Sequence, residues 1–467
     1  MELSFPLAPR YHHGVRRLSS NGLRAAAAIA DITPHGPARM DGYGSRAEPS
    51  RGVHDPLFAR TLVLDDGAGS RAAIISCDLL GMHPWITSEV RRLASDRLGI
   101  PPDGLLLCAT HNHAGPVGLR GGMFSRLDEQ LAQTLVDRIC AAVEQAGGSL
   151  RPATLKLGHA VIDTISMNRR DPGLPINPQL RVLLIDGEEA PIATVLNFAC
   201  HATTLSGENL LLSAEFPGAA CRLLREQTGA PALYLQGACG NVNPVWIKQD
   251  FESVERLGHI VGGSALRIVA ELRALGPGQR AHNIRWDEFP EKPVPGRIVA
   301  YQRLRAARLE IELPLRAFLA DHEYAVRVEE LEPQASALPQ GSDERRNVMA
   351  QLTRLQNERW AAAWARRRPE RTSQRTEIQA LSLGEGLALL ALPGEFFVET
   401  ADAIRSRFGL EDLLLACYAN DYVGYVIPPD AYDEGGYEAG ITFCATEAEV
   451  IAVEASLGLL EELTSRV

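Results

Sequence analysis

The chain has 467 residues, with 47 basic against 58 acidic side chains and a formal net charge of −11. Apolar residues make up 45% and charged residues 22%, a globular composition that excludes a disordered tail protein and a coiled coil. The acidic balance leaves no electrostatic footprint for nucleic acid or an anionic membrane surface, so neither is expected as a partner.

In chain order, residues 1–22 read as a ragged arm. They carry Arg10, Arg16 and Arg17 but no continuous apolar run, so they are not expected to be a secretory leader. Residues 60–64 and 72–77 read as strands and 84–98 as a helix, with Ile86, Val90, Leu93 and Leu98 near helical spacing. The continuous apolar run at 104–109 reads as a strand buried on both faces, and 125–146 as a long amphipathic helix. Strands follow at 153–165 and 180–200, then a helix at 215–228, a strand at 232–236 and a helix at 253–275. Residues 282–376 change character. They are rich in Arg and Glu, with helical runs at 314–330 and 343–365, and read as a mostly helical surface insertion. Strands resume at 377–383 and 387–392, followed by a helix at 395–408, a strand at 413–419 and a terminal helix at 446–465. No internal repeat is visible.

This alternation predicts an α/β fold: one large catalytic domain over 23–467, with central mixed β-sheets flanked by helices and the insertion on its surface. The longest apolar stretch, 192–205, is interrupted by Asn197 and His201 and is too short to span a bilayer. The eight cysteines form no CxxC pair and read as reduced, buried thiols, which points to the cytoplasm. Trp360 and Trp364 in the insertion mark a candidate surface for homo-oligomerisation.

Chemistry gathers where strands run out. The strand at 104–109 leads into Thr110-His111-Asn112-His113-Ala114-Gly115-Pro116. Open α/β sheets bind ligands in the crevice beyond the carboxyl ends of their strands. Neutral imidazole is the commonest protein ligand for zinc. A second apolar strand ends in Cys200-His201, and a third in Pro393-Gly394-Glu395, a carboxylate expected in a first helical turn. Two histidines and a carboxylate form a recurrent catalytic zinc set with an open position for water. The turn Gly240-Asn241-Val242-Asn243-Pro244 lets backbone amides approach a substrate. No phosphate-binding glycine motif is present, so nucleotide binding has no support. Taken singly, each feature has an ordinary structural explanation; in combination they point to one crevice.

With these pieces in order, the chain resembles the neutral/alkaline (non-lysosomal) ceramidase family. The series runs from Ala30-Asp31-Ile32-Thr33-Pro34 through Gly42-Tyr43-Gly44 and Gly52-Val53-His54-Asp55-Pro56. It continues through Thr110–Pro116, Asn168-Arg169, Asn177-Pro178 and Asn197–Thr203, then Pro393–Phe396, Asn420-x-Tyr422-x-x-Tyr425 and Tyr437-Glu438-Ala439. It covers most of residues 25–445. The resemblance implies a zinc ion bound by His111, His201, Glu395 and Tyr425. It also implies that His113 lies beside the substrate, that Arg169 points into the site, and that the reaction is hydrolysis of an N-acyl amide. This chain departs from ceramidases proper in two respects. Asn243 stands where their Gly-Asp-Val-Ser-Pro-Asn motif has serine, and asparagine cannot replace a serine nucleophile. Few residues follow the last motif, so the membrane-facing appended domain of secreted members is not expected.

The function read from the sequence is therefore a zinc-dependent hydrolase of a small-molecule or lipid-like amide other than ceramide. His113 is expected to handle a proton or the oxyanion, Arg169 to bind a carbonyl or carboxylate, and Asn243 to orient water or substrate. His54, Asn241 and Glu215 are further candidates for substrate contact, Glu215 also for a general base. An esterase or lactonase using the same zinc-activated water, and a zinc- or ligand-binding member without turnover, are the alternatives.

Overall fold

A computed structural model describes residues 22–122, 126–274, 280–281, 292–293, 296–300, 302–410 and 412–465. The expected arm lies outside these residues except for Gly22, as does the stretch 282–291 of the expected insertion.

Three mixed sheets are built by one topology used three times, although the sequence showed no repeat. Each unit has three strands, a crossover helix, a fourth strand and a trailing helix. In the first, the strands are Arg24–Asp31, Phe58–Asp65, Arg71–Cys77 and Leu105–Ala109, with helices Pro84–Leu98 and Glu129–Gly147. In the second, they are Thr154–Val161, Gln179–Asp186, Pro191–Phe198 and Ala232–Gln236, with helices Glu215–Thr228 and Phe251–Ala274. In the third, they are Arg305–Pro314, Ser373–Gly384, Leu387–Ala391 and Leu414–Ala416, with helices Val398–Phe408 and Glu447–Ser465. Within each unit the first three strands are antiparallel neighbours, and the fourth pairs in parallel with the third. A parallel pair needs a crossover, which the helix between strands three and four supplies. The repeat is one of topology, carried by different residues, so no spacing of identical residues announces it.

The inner faces of the three sheets share one apolar core, with Leu62, Ile74 and Leu106 meeting Leu183, Val195 and Leu233 and also Leu381, Leu389 and Leu414. Helices cover the outer faces, those of the first and third units in one cluster and those of the second in another. The parallel strands are therefore covered on both sides, which is why they read as unbroken apolar runs.

Among its described residues the insertion is helical over Asp321–Ala337 and Asp343–Ala365. Arg305–Pro314, placed within it by the sequence reading, pairs along its whole length with Ser373–Gly384 and belongs to the third sheet. Its exposed, charge-rich outward face hid the strand pattern. The terminal glutamate of Pro393-Gly394-Glu395 also differs from expectation. Glu395–Phe396 is a two-residue strand in parallel with Tyr425–Val426, and the helix begins only at Val398. All eight cysteines are buried and unpaired, as their spacing implied. No helix among the described residues is long and apolar enough to cross a membrane.

Candidate active site

The three parallel pairs deliver the chemistry to one place. His111 lies two residues past Leu105–Ala109, His201 three past Pro191–Phe198, and Glu395 four past Leu387–Ala391. Tyr418 lies two past Leu414–Ala416. His111 and Tyr418 occupy equivalent positions after the fourth strand of their units, and both have left-handed φ angles, 58° and 57°. Such a conformation is costly for a bulky residue and gathers at functional sites. Their rings stack with centroids 3.8 Å apart.

Main-chain carbonyls fix the imidazole tautomers. A carbonyl only accepts, so the ring nitrogen facing it carries the proton. Nδ1 of His111 donates to Leu80 O at 2.8 Å, and Nδ1 of His201 to Cys239 O at 2.6 Å. In the neutral rings the Nε2 atoms are then bare lone pairs. That of His111 lies 3.3 Å from Glu395 Oε2, and that of His201 lies 3.1 Å from the same oxygen. His113 Nδ1 faces Gly42 O at 3.2 Å, leaving its Nε2 lone pair 3.1 Å from that of His111. Ligand atoms of all three histidines lie within 4.8 Å of one another. Burial lowers the His201 pKa to about 4 and, with His111 and His201 beside it, holds His113 well below the ordinary histidine value. Burial would raise the Glu395 pKa; positive charge at His111 and His201 would hold it well below the usual range, and a cation between the three supplies that charge with both rings neutral. Acceptors thus converge on acceptors inside a buried cluster. That donor set fits a cation: neutral imidazoles plus an ionised carboxylate, with outer carbonyls orienting the rings.

The second oxygen of Glu395 meets the hydroxyl of Tyr422, not Tyr425. Tyr425 accepts instead from Arg169 Nη2 at 2.9 Å. Arg169 is fully engaged by protein: Nε to Glu438 Oε1 at 2.6 Å, Nη2 also to Gly240 O at 2.7 Å, and Nη1 to Asn243 Oδ1 at 3.4 Å. Asn243 sits on the short strand Val242–Pro244, paired with Ser166–Asn168 next to Arg169.

The other sequence candidates have different partners. Asn241 is fully buried; its Oδ1 accepts from Val398 N at 3.1 Å and its Nδ2 donates to Glu399 at 2.8 Å, so it caps a helix where substrate contact was expected. Glu215 has φ 57° and accepts from the N–H groups of Thr204 and Leu205 at 3.1 and 2.9 Å. It ties down the loop leaving His201, and burial raises its pKa to about 7. His54 pairs with Asp55 at 2.9 Å and stacks on Phe251 at 3.7 Å. Not foreseen from the sequence were Tyr418, the contact of Tyr422 with Glu395, and the carbonyls of Leu80, Cys239 and Gly42. Only the tyrosine in Asn420-x-Tyr422 carried a signal; carbonyls leave none.

Residues 24–239 match the family model for neutral/alkaline non-lysosomal ceramidase, N-terminal. The neutral ceramidase of Pseudomonas aeruginosa is 25% identical, with the match covering 88% of this chain and 68% of that protein. That of Mycobacterium tuberculosis is 30% identical over 45% of this chain and 36% of its own length. A crystal structure of the P. aeruginosa enzyme shares the fold, with a TM-score of 0.71 at 21% identity, covering 96% of this chain and 75% of that one.

Proposed function

We propose, from the premise that this chain is a relative of the neutral/alkaline ceramidases, that it is a metal-dependent amidohydrolase acting on an N-acyl substrate other than ceramide, with zinc as its metal. The observation that carries the reading is the convergence of the His111 and His201 Nε2 atoms on one oxygen of the Glu395 carboxylate inside a buried cluster. Buried acceptors in that arrangement repel one another unless a cation or a shared proton lies between them, and a zinc ion satisfies all three at once.

His111, His201 and Glu395 would hold the ion. The resemblance assigns the fourth position to Tyr425, while geometry favours Tyr422, whose hydroxyl already touches Glu395. Zinc held there would supply an acidified water and would polarise the amide carbonyl. His113 keeps its proton on Nδ1 towards Gly42 O, so Nε2 accepts the proton of the attacking water and returns it to the leaving amine. Arg169 acts as a positioning residue, aligning Tyr425 and Asn243. Asn243 cannot attack; with Oδ1 engaged by Arg169, its amide N–H group remains to orient the substrate. Asparagine in place of the serine of the ceramidase motif supports a substrate other than ceramide.

The test is turnover of a panel of N-acyl amides, their esters and ceramide, before and after chelation and zinc restoration. Amide cleavage lost on chelation and regained with zinc is the expected result. Turnover unaffected by chelation would overturn the metal role, and ceramide as the best substrate would overturn the substrate assignment.

A further inference from the structure

Three arginines around the site differ in what they hold. Arg120 lays Nε and Nη2 on the two oxygens of Asp41 at 2.7 and 3.2 Å. Arg169 gives Nε to Glu438. Arg46, 9% exposed, has no carboxylate within ion-pair distance among the described residues. Its Nη1 donates to the main-chain oxygens of Asp41 and His113 at 2.6 and 2.8 Å, and its Nη2 to Ser206 O at 3.3 Å. Its Nε is buried and has no partner. Carbonyl dipoles and the Tyr43 ring, 4.8 Å from the guanidinium carbon, are its main support.

A guanidinium withdrawn from water without an anion is costly. Burial already pulls the Arg46 pKa below the usual arginine value. Glu215, whose charge is felt at Arg46, has its oxygens taken by Thr204 and Leu205. The Nε edge of Arg46 is the kind of edge that Arg120 lays on Asp41, the side-on fork that matches a planar carboxylate; its Nε is uncommitted, and its Nη2 holds Ser206 O at 3.3 Å, the longest of its three bonds. Arg46 is also tied to the main chain of His113, and Tyr43 packs edge-on against the His113 ring with centroids 5.2 Å apart.

We infer that Arg46 is a binding residue for a carboxylate carried by the substrate, taken on its Nε edge while Nη1 stays fixed to the main chain of His113. The substrate class is then an N-acyl amino acid or a similar acid-bearing amide, an assignment that rests on the amidohydrolase reading above.

The test uses the zinc-loaded full chain with N-acyl phenylalanine and N-acyl phenethylamine, which differ by one carboxylate, at acetyl and octanoyl lengths. The wild type is expected to favour the acid, and Arg46→Gln to lower the kcat/KM ratio about a hundredfold, mainly through KM. Arg46→Lys is expected to keep part of the preference, since an ammonium keeps the charge but not the fork. A wild type that prefers the amine, or a ratio unchanged in Arg46→Gln, overturns the inference. If the wild type cleaves neither compound, the amidohydrolase reading fails on its own. Calorimetric binding of N-acetyl-phenylalanine then decides: binding lost in Arg46→Gln supports the carboxylate site, while equal binding or none overturns it. Should Arg46→Gln fail to fold by circular dichroism, Arg46→Lys serves as the variant in both assays, and an undiminished preference or affinity overturns the fork.

Discussion

Glu395 and Glu215 are both buried carboxylates that follow an apolar strand, yet their surroundings are opposite. Glu215 meets hydrogen-bond donors: two main-chain N–H groups point at its oxygens. Glu395 meets two imidazole nitrogens whose protons are committed elsewhere. Burial raises both pKa values; positive charge beside Glu395 reverses the sign there, and no cationic neighbour does so at Glu215. The difference teaches that the charge and protons of the neighbours, not burial, separate a candidate metal ligand from a structural anchor.

Substitution should widen this contrast most. Glu395→Ala is expected to weaken metal binding by at least about a hundredfold, the upper end of what losing even an outer partner of a metal ligand costs. Glu215→Gln should leave metal content stoichiometric. Metal analysis by emission spectrometry checks both, and equal losses would erase the comparison. Within the Glu395 pocket, Tyr422→Phe should weaken metal binding roughly tenfold or more, and Tyr425→Phe less. The reverse order would restore the tyrosine assigned by the family motif.

The Glu215 pocket makes a pH prediction. Its folded pKa of about 7 lies above the ordinary 4.5, so the neutral acid is the better-tolerated buried form. Its stabilising contribution is full below about pH 4.5 and is lost as pH rises through about 7, a change of about 3 kcal/mol. Urea unfolding at pH 5 and pH 8 should therefore show a larger decline in the wild type than in Glu215→Gln. An identical pH dependence would mean that Glu215 is not buried as described.

The smallest effect belongs to Asn241. Removing its cap on Val398–Phe408 by Asn241→Ala should cost about 1 kcal/mol of stability without altering metal content. A loss of metal would return Asn241 to the site.

Long apolar strands and the three strand-end residues His111, His201 and Glu395 were legible because periodicity and residue type are local. Glu215–Thr228 and Ala232–Gln236 were read to the residue. Glu395 was misread as a helical residue because a two-residue strand has no period; only Tyr425–Val426, distant in sequence, defines it. Arg305–Pro314 was hidden by alternating charges on an exposed face. The threefold topology left no trace because each unit fills the shared core with different apolar residues. The tautomers of His111, His113 and His201 were illegible because main-chain carbonyls set them, and every residue has one.

The central claim is that a cation joins the three strand ends. A crystal structure of the zinc-loaded chain, measured above and below the zinc absorption edge, tests it most directly. The account predicts one anomalous peak within about 2.0–2.2 Å of His111 Nε2, His201 Nε2 and a Glu395 oxygen. A peak elsewhere, or full zinc content with His111 and Glu395 outside its coordination shell, would contradict it.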